Sequence, residues 1–231
     1  MKHKNSHLLV GYWSRLRRGR DVPDQVDIDP RAIKRMLSNV FILESSDPAR
    51  PSYRLAGTNV CDRFGFELKG TSFLSQWEAQ SRNPLITLIC QSLATKQPVC
   101  ITAMGTTADC AMVEIEIVLA PLGFGAGAPT RFLGMIQLLG DSGSLNGRPI
   151  AFQRLVGSKI VQEDEPLSSY VPPPPPMPPA EPNRSHPRAP HLRLIVSRDK
   201  PATVHLEIDE MMKKMIAALE IVMLPRFSVL G

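Results

Sequence analysis

The stretch PVCITAMGTTADCAMVEIEIVLAPLGFGAGAPTRFLGMIQLLG (98–140) decides the fold, because it holds three apolar runs of strand length divided by two turns. The runs are PVCITAMGTT, MVEIEIVLAPLG and TRFLGMIQLLG; the first turn contains Asp109 and the second is the glycine-rich GFGAGAP (123–129). In the middle run Val113, Ile115, Ile117 and Leu119 alternate with Glu114 and Glu116. One face of the sheet is therefore expected to be covered and the other wet. At i, i+2 the two glutamates read as a solvated sheet face rather than an acid/base pair. GFGAGAP could suggest a phosphate loop, but Pro129 and a strand follow it where a phosphate site needs a helix N-terminus. It reads as a hairpin connection.

Working outward, VFILE (40–44) and SYRLAGT (52–58) flank the turn-rich SSDPARP and predict a hairpin. Residues 59–79 are interrupted by Gly65 and Gly70 and predict short helices and loops. NPLITLICQSLATKQ (83–97) predicts a helix with Asn83 capping ahead of Pro84. Near the start, HLLVGYWSRLRRG sets Leu9, Tyr12, Trp13 and Leu16 on one helical stripe and ends at Gly19. Asp29 before Pro30 opens a short helix through about Leu37. The order β-β, several helices, β-β-β implies an antiparallel α+β domain without βαβ alternation.

At 231 residues the chain has room for one ordinary domain plus appendages. Hydrophobic residues make up 43% and charged residues 21%, which excludes collagen-like, coiled-coil and wholly disordered classes. No run reaches the roughly 18 apolar residues of a spanning helix. Leu8 to Val10 is too short for a signal-peptide core, so a cytoplasmic address is expected. Cys61, Cys90, Cys100 and Cys110 include no CxxC and read as reduced thiols. The net charge of +5 is uneven: residues 1–35 hold nine Lys or Arg against four Asp. VPPPPPMPPAEPNRSHPRAP (171–190) reads as a polyproline spacer, although its PxxP spacings also suit an SH3-like groove. After it, HLRLIVS (191–197) reads as a strand and residues 204–224 as an amphipathic helix whose stripe includes Met211, Met215 and Leu219.

YWSRLRRGRDVPDQVDIDPRAIKRMLSNVFILE (12–44), followed by YRLAGTNVCDRFGFELKGTSFLSQW (53–77), resembles the bacterial PAS-domain family PAS_5. The shared pattern is a Trp- and Arg/Gly-rich opening, an Asp-Ile-Asp-Pro turn, an apolar first strand, then Arg-Leu-Ala-Gly-Thr and Phe-Gly-x-Glu-Leu-x-Gly-Thr. It covers roughly residues 8–140. The resemblance implies a PAS-like five-stranded antiparallel sheet with helices on one face, and a role in sensing or protein interaction. The chain then divides into an N-terminal helical, basic extension (1–38), a PAS-like domain (39–165), a Pro-rich linker (166–190) and a C-terminal strand and amphipathic helix (191–231).

All five histidines fall outside residues 8–185, which argues against a His-dependent catalytic dyad or an imidazole-held haem in the body. No kinase signature, P-loop or metal cluster accompanies them. A non-catalytic module is expected, with no catalytic or metal residues. Cys61 invites comparison with the cysteine of flavin-binding photosensory PAS domains, but the spacing differs and it reads as a small buried hydrophobe. The resemblance places any ligand cavity between the sheet's covered face and the helices, with Leu55, Trp77, Val113, Ile115 and Ile117 as candidate lining. The sequence does not specify a cofactor. Trp13, Leu16, Met211, Met215 and Leu219 are the candidate interface to a protein partner or a second copy. Three functions stay open: a sensory or interaction module with a small ligand, a ligand-free adaptor, and a nucleic-acid or membrane-surface binder using Arg15, Arg17, Arg18 and Arg20. Asp21, Asp24, Asp27 and Asp29 are placed to neutralise that cluster, so nucleic acid is the least favoured partner.

Overall fold

The computed structural model describes residues 1–161 except 46, 126, 141–144 and 146. Among these, the helices are α1 (Lys4–Arg17), α2 (Thr58–Phe64) and α3 (Ala79–Thr95), with 3₁₀ segments at Gln25–Asp27, Pro30–Asn39 and Phe73–Gln76. The strands are β1 (Val40–Glu44), β2 (Ser52–Ala56), β3 (Val99–Thr107), β4 (Met112–Leu122), β5 (Arg131–Leu138) and β6 (Ile150–Ile160). They form one antiparallel sheet in the order β2-β1-β5-β4-β3-β6. The PAS-like α+β class therefore stands, with a sixth strand beside β3 where five were expected.

Alternation divides β1, β4 and β5 between two apolar layers. Phe41, Leu43, Ile101, Val113, Ile115, Ile117 and Phe132 share one cluster with Val60, Phe73, Trp77, Leu85 and Ile89 from α2, α3 and the 3₁₀ turn between them. Val40, Ile42, Val118, Ala120, Leu133 and Met135 share the other with Leu9, Tyr12 and Trp13 of α1 and Ile33, Met36 and Leu37. The second face was expected to be wet. It is covered by the N-terminal extension, and β4 and β5, buried on both sides, read as near-continuous apolar runs for that reason.

Three local features set these layers. In β2, Tyr53 opposes Leu43 and Leu55 opposes Ile42, leaving Arg54 as the extra residue of a β-bulge. In β5, Gly134 opposes Phe41, and a Cβ there would stand 2.1 Å from the Phe41 ring. The start of α3 clips the outer edge of β6: the Glu78 N–H donates to the Gln153 carbonyl at 2.9 Å, and the Leu155 N–H to Ser81 Oγ at 3.0 Å. That clip moves the helix start to Ala79, ahead of the expected cap at Asn83, and leaves Pro84 inside the helix at the cost of one backbone bond. The cap at Asp29 is present, its carboxylate accepting from the Arg31 N–H at 2.9 Å, although the segment is 3₁₀ and kinks at Ile33.

Gly134→Ala is expected to destabilise the fold by about 1–3 kcal/mol, since the Phe41 ring must leave its position. Chemical denaturation checks this, and Phe41→Leu in the same chain should recover part of the loss.

Candidate functional site

Trp77, Val113, Ile115 and Ile117 lie together in the layer beneath α2 and α3. Leu55 does not join them: the Arg54 bulge turns it to the opposite face, into the α1 layer. An aromatic chain runs through the first layer, Phe41 against Tyr53 edge-on at 5.4 Å, Tyr53 against Phe73 at 5.8 Å, and Phe73 against Trp77 at 5.7 Å between centroids. Burial pushes the Tyr53 phenol pKa far upward, so it stays protonated.

Within this apolar layer stand three polar atoms without a hydrogen-bond partner: Trp77 Nε1 and both Oε1 and Nε2 of Gln153. Trp77 is 1% exposed and Gln153 0%. The two residues are adjacent, bridged backbone to backbone, and Gln153 sits opposite Gly105 on the neighbouring strand. Gln153 escaped the sequence reading because β6, IAFQRLVGSKI, is an edge strand whose polar and small residues hide its alternation. The signal available was one buried amide between Phe152 and Arg154 in a run with strand spacing.

On the opposite face, β4 carries the buried glutamate. The Glu116 carboxylate accepts from the Lys2 N–H at 2.5 Å and the His3 N–H at 3.0 Å. Glu114, nearer the edge, pairs with the Lys2 ammonium at 2.5 Å. The pair was expected to be solvated; instead the start of α1 folds over it. Burial alone would raise the Glu116 pKa, but the Ser6 hydroxyl and the two backbone N–H groups outweigh it and hold the carboxyl below its usual range. Cys100, beside Glu116, is pushed up to about 12, chiefly by burial, and is an unreactive thiol. Cys61, half-buried on α2, is also raised, again chiefly by burial.

Trp13, expected at a partner interface, is 1% exposed and belongs to the chain's own core. Its indole N–H donates to the Pro121 carbonyl at 2.6 Å, and the Arg17 guanidinium lies over its ring at 5.3 Å. Leu16 is half-buried against the same cluster. Met211, Met215, Leu219 and the proline spacer lie outside the described residues. Among the described residues no group of three or more His, Cys, Asp or Glu could hold a metal, and no helix is long and apolar enough to cross a membrane.

An antiparallel sheet with α2, α3 and a 3₁₀ turn packed on one face is the frame of a PAS domain. The PAS_5 family, described as a PAS domain, matches residues 1–137, and the chain belongs to it. The match includes α1, so the helix over the second face lies within the family's region. Among solved structures the chain is similar to the light state of the blue-light photoreceptor Aureochrome1 LOV, at 12% identity, 49% of this chain, 91% of that chain and a TM-score of 0.38. It is similar also to the Rhodobacter sphaeroides LOV protein, at 17% identity, 51% of this chain, 72% of that chain and a TM-score of 0.39. No curated protein matches.

Because the folded-state pKa of Glu116 is depressed, its contribution to stability is present above the unfolded-state pKa and is lost as pH falls through the folded value. Denaturation of the wild type should weaken over that acid range. Glu116→Ala, which takes the acceptor from the part-buried Lys2 and His3 N–H groups, should cost about 1 kcal/mol at neutral pH and flatten the acid slope.

Proposed function

We propose that the chain is a non-catalytic sensory module of bacterial signalling that holds a small, uncharged ligand between the sheet and α2/α3 and reports its occupancy to a protein partner. The observation that carries this reading is the set of unpaired atoms at Trp77 and Gln153. Each such group forfeits about 1–3 kcal/mol while it stays dry and unbonded. A ligand offering an acceptor to the indole N–H, and both an acceptor and a donor to the Gln153 amide, recovers that loss. Val113, Ile115 and Ile117 supply the apolar surroundings that favour an uncharged molecule.

Transmission would use β6. Gln153 stands on this strand, its carbonyl is fixed to the start of α3, and the chain runs from Ile160 directly toward residues 162–231. Binding at Gln153 would shift the population of β6 arrangements, and a partner reads that shift. Family membership supports a sensory role in general, and the site residues carry the rest.

Native mass spectrometry with an absorption spectrum on the purified full chain tests the reading. The expected result is a small-molecule adduct that Gln153→Leu abolishes without lowering the unfolding midpoint, because leucine removes two unpaired atoms at similar volume. A bare polypeptide that gains no mass from a cell extract would overturn the ligand and leave the adaptor role.

A further inference from the structure

The basic N-terminal extension carries a second inference, independent of the ligand. Residues 1–39 hold nine Lys or Arg and four Asp, and all four aspartates already have partners. Asp21 pairs with Lys96, outside the extension. Asp24 accepts from the Val26 N–H and Asp29 from the Arg31 N–H, as caps. Asp27 takes both Arg20, at 2.5 Å, and the Asp24 N–H. Lys2 is held by Glu114. Arg15, Arg18, Arg31, Lys34 and Arg35 have no carboxylate within ion-pair distance among the described residues.

These five cations lie on one layer. α1 and the Pro30–Asn39 segment cover the same sheet face and meet where the Asp29 N–H donates to Tyr12 Oη at 2.8 Å. Their inner sides bury Leu9, Tyr12 and Trp13, and Pro30, Ile33, Met36 and Leu37. Arg15, Arg18, Arg31 and Arg35 are exposed on the outer side. The negative end of the α1 dipole accounts for cations at its last turn but not for Arg31, Lys34 and Arg35. One large apolar side chain of α1 is exposed on this layer too, Leu8, at 48%. A cationic layer carrying an exposed leucine suits a lipid headgroup region, where the charge meets phosphates and the side chain enters the acyl boundary.

We infer that this layer is a docking surface for an anionic bilayer, and that it holds the module at a membrane face. The test is co-sedimentation of the full chain with vesicles of phosphatidylglycerol in phosphatidylcholine, against pure phosphatidylcholine vesicles and against a duplex DNA. Binding is expected to the anionic vesicles only and to fall steeply as salt rises. Each cation at an anionic surface contributes about fivefold, so Arg15→Gln/Arg18→Gln/Arg31→Gln/Arg35→Gln should weaken binding by on the order of several hundredfold. Leu8→Ser should weaken it further with no change in salt slope. Lys69→Gln/Arg154→Gln, neutralised elsewhere, should leave it intact. Equal binding to neutral vesicles, tighter binding to DNA than to anionic vesicles, or full retention by the quadruple variant would each overturn the inference. Circular dichroism of the quadruple variant confirms that its fold persists; the pair Arg31→Glu/Arg35→Glu, which keeps the α1 cations, repeats the test if it does not.

Discussion

A carboxylate can be buried under a helix only when donors come to it, and Glu116 is where this chain meets that demand. β4 has to run through the centre of the sheet, yet its second face is polar at Glu114 and Glu116 and apolar at Val118, Ala120 and Leu122. The start of α1 brings the Lys2 and His3 N–H groups to Glu116, and the rest of the helix then lies along the apolar half of the strand. Trp13 completes the seam by donating to Pro121, one residue short of the end of β4. Polar contact at one end and indole anchor at the other fix how far along the strand the helix sits. The expectation of a wet face failed here because alternation reports which residues share a side, and cannot report which distant segment covers it.

The two tryptophans show how differently the same group is used. The indole N–H of Trp13 is satisfied by a carbonyl and its ring is capped by Arg17, so it is a finished piece of core. The indole N–H of Trp77 has no such partner, and neither has the amide beside it. From the sequence both are large aromatics near helices, Trp77 expected at a cavity and Trp13 at an interface, and Trp13 instead lies in the chain's own core. What separates them is the identity of the atom facing the nitrogen, a property of tertiary structure.

Much of the frame was legible: β1 and β2, the three strands of residues 98–140, the cap at Asp29 and the helix before β3 all follow from apolar runs bounded by Gly, Pro and Asp. What escaped was set by long-range partners. The sixth strand exists because the open edge of β3 accepts it and the start of α3 clips its far side, neither of which leaves a mark on its composition. Leu55 was expected in the cavity layer from the resemblance, and the bulge turns it away, because position along the chain counts residues where the sheet counts hydrogen-bonded positions.

That difference gives β2 an uncommon relation between its length and its faces. Because Arg54 has no position of its own opposite β1, a chain one residue shorter at this point would still set Tyr53 and Leu55 on the sides they occupy now. Residue-by-residue correspondence with related chains therefore tolerates a gap at Arg54 without exchanging inside for outside, whereas a gap at the same depth in β4, which has no bulge against β3 or β5, would exchange the two apolar layers along the remainder of the strand.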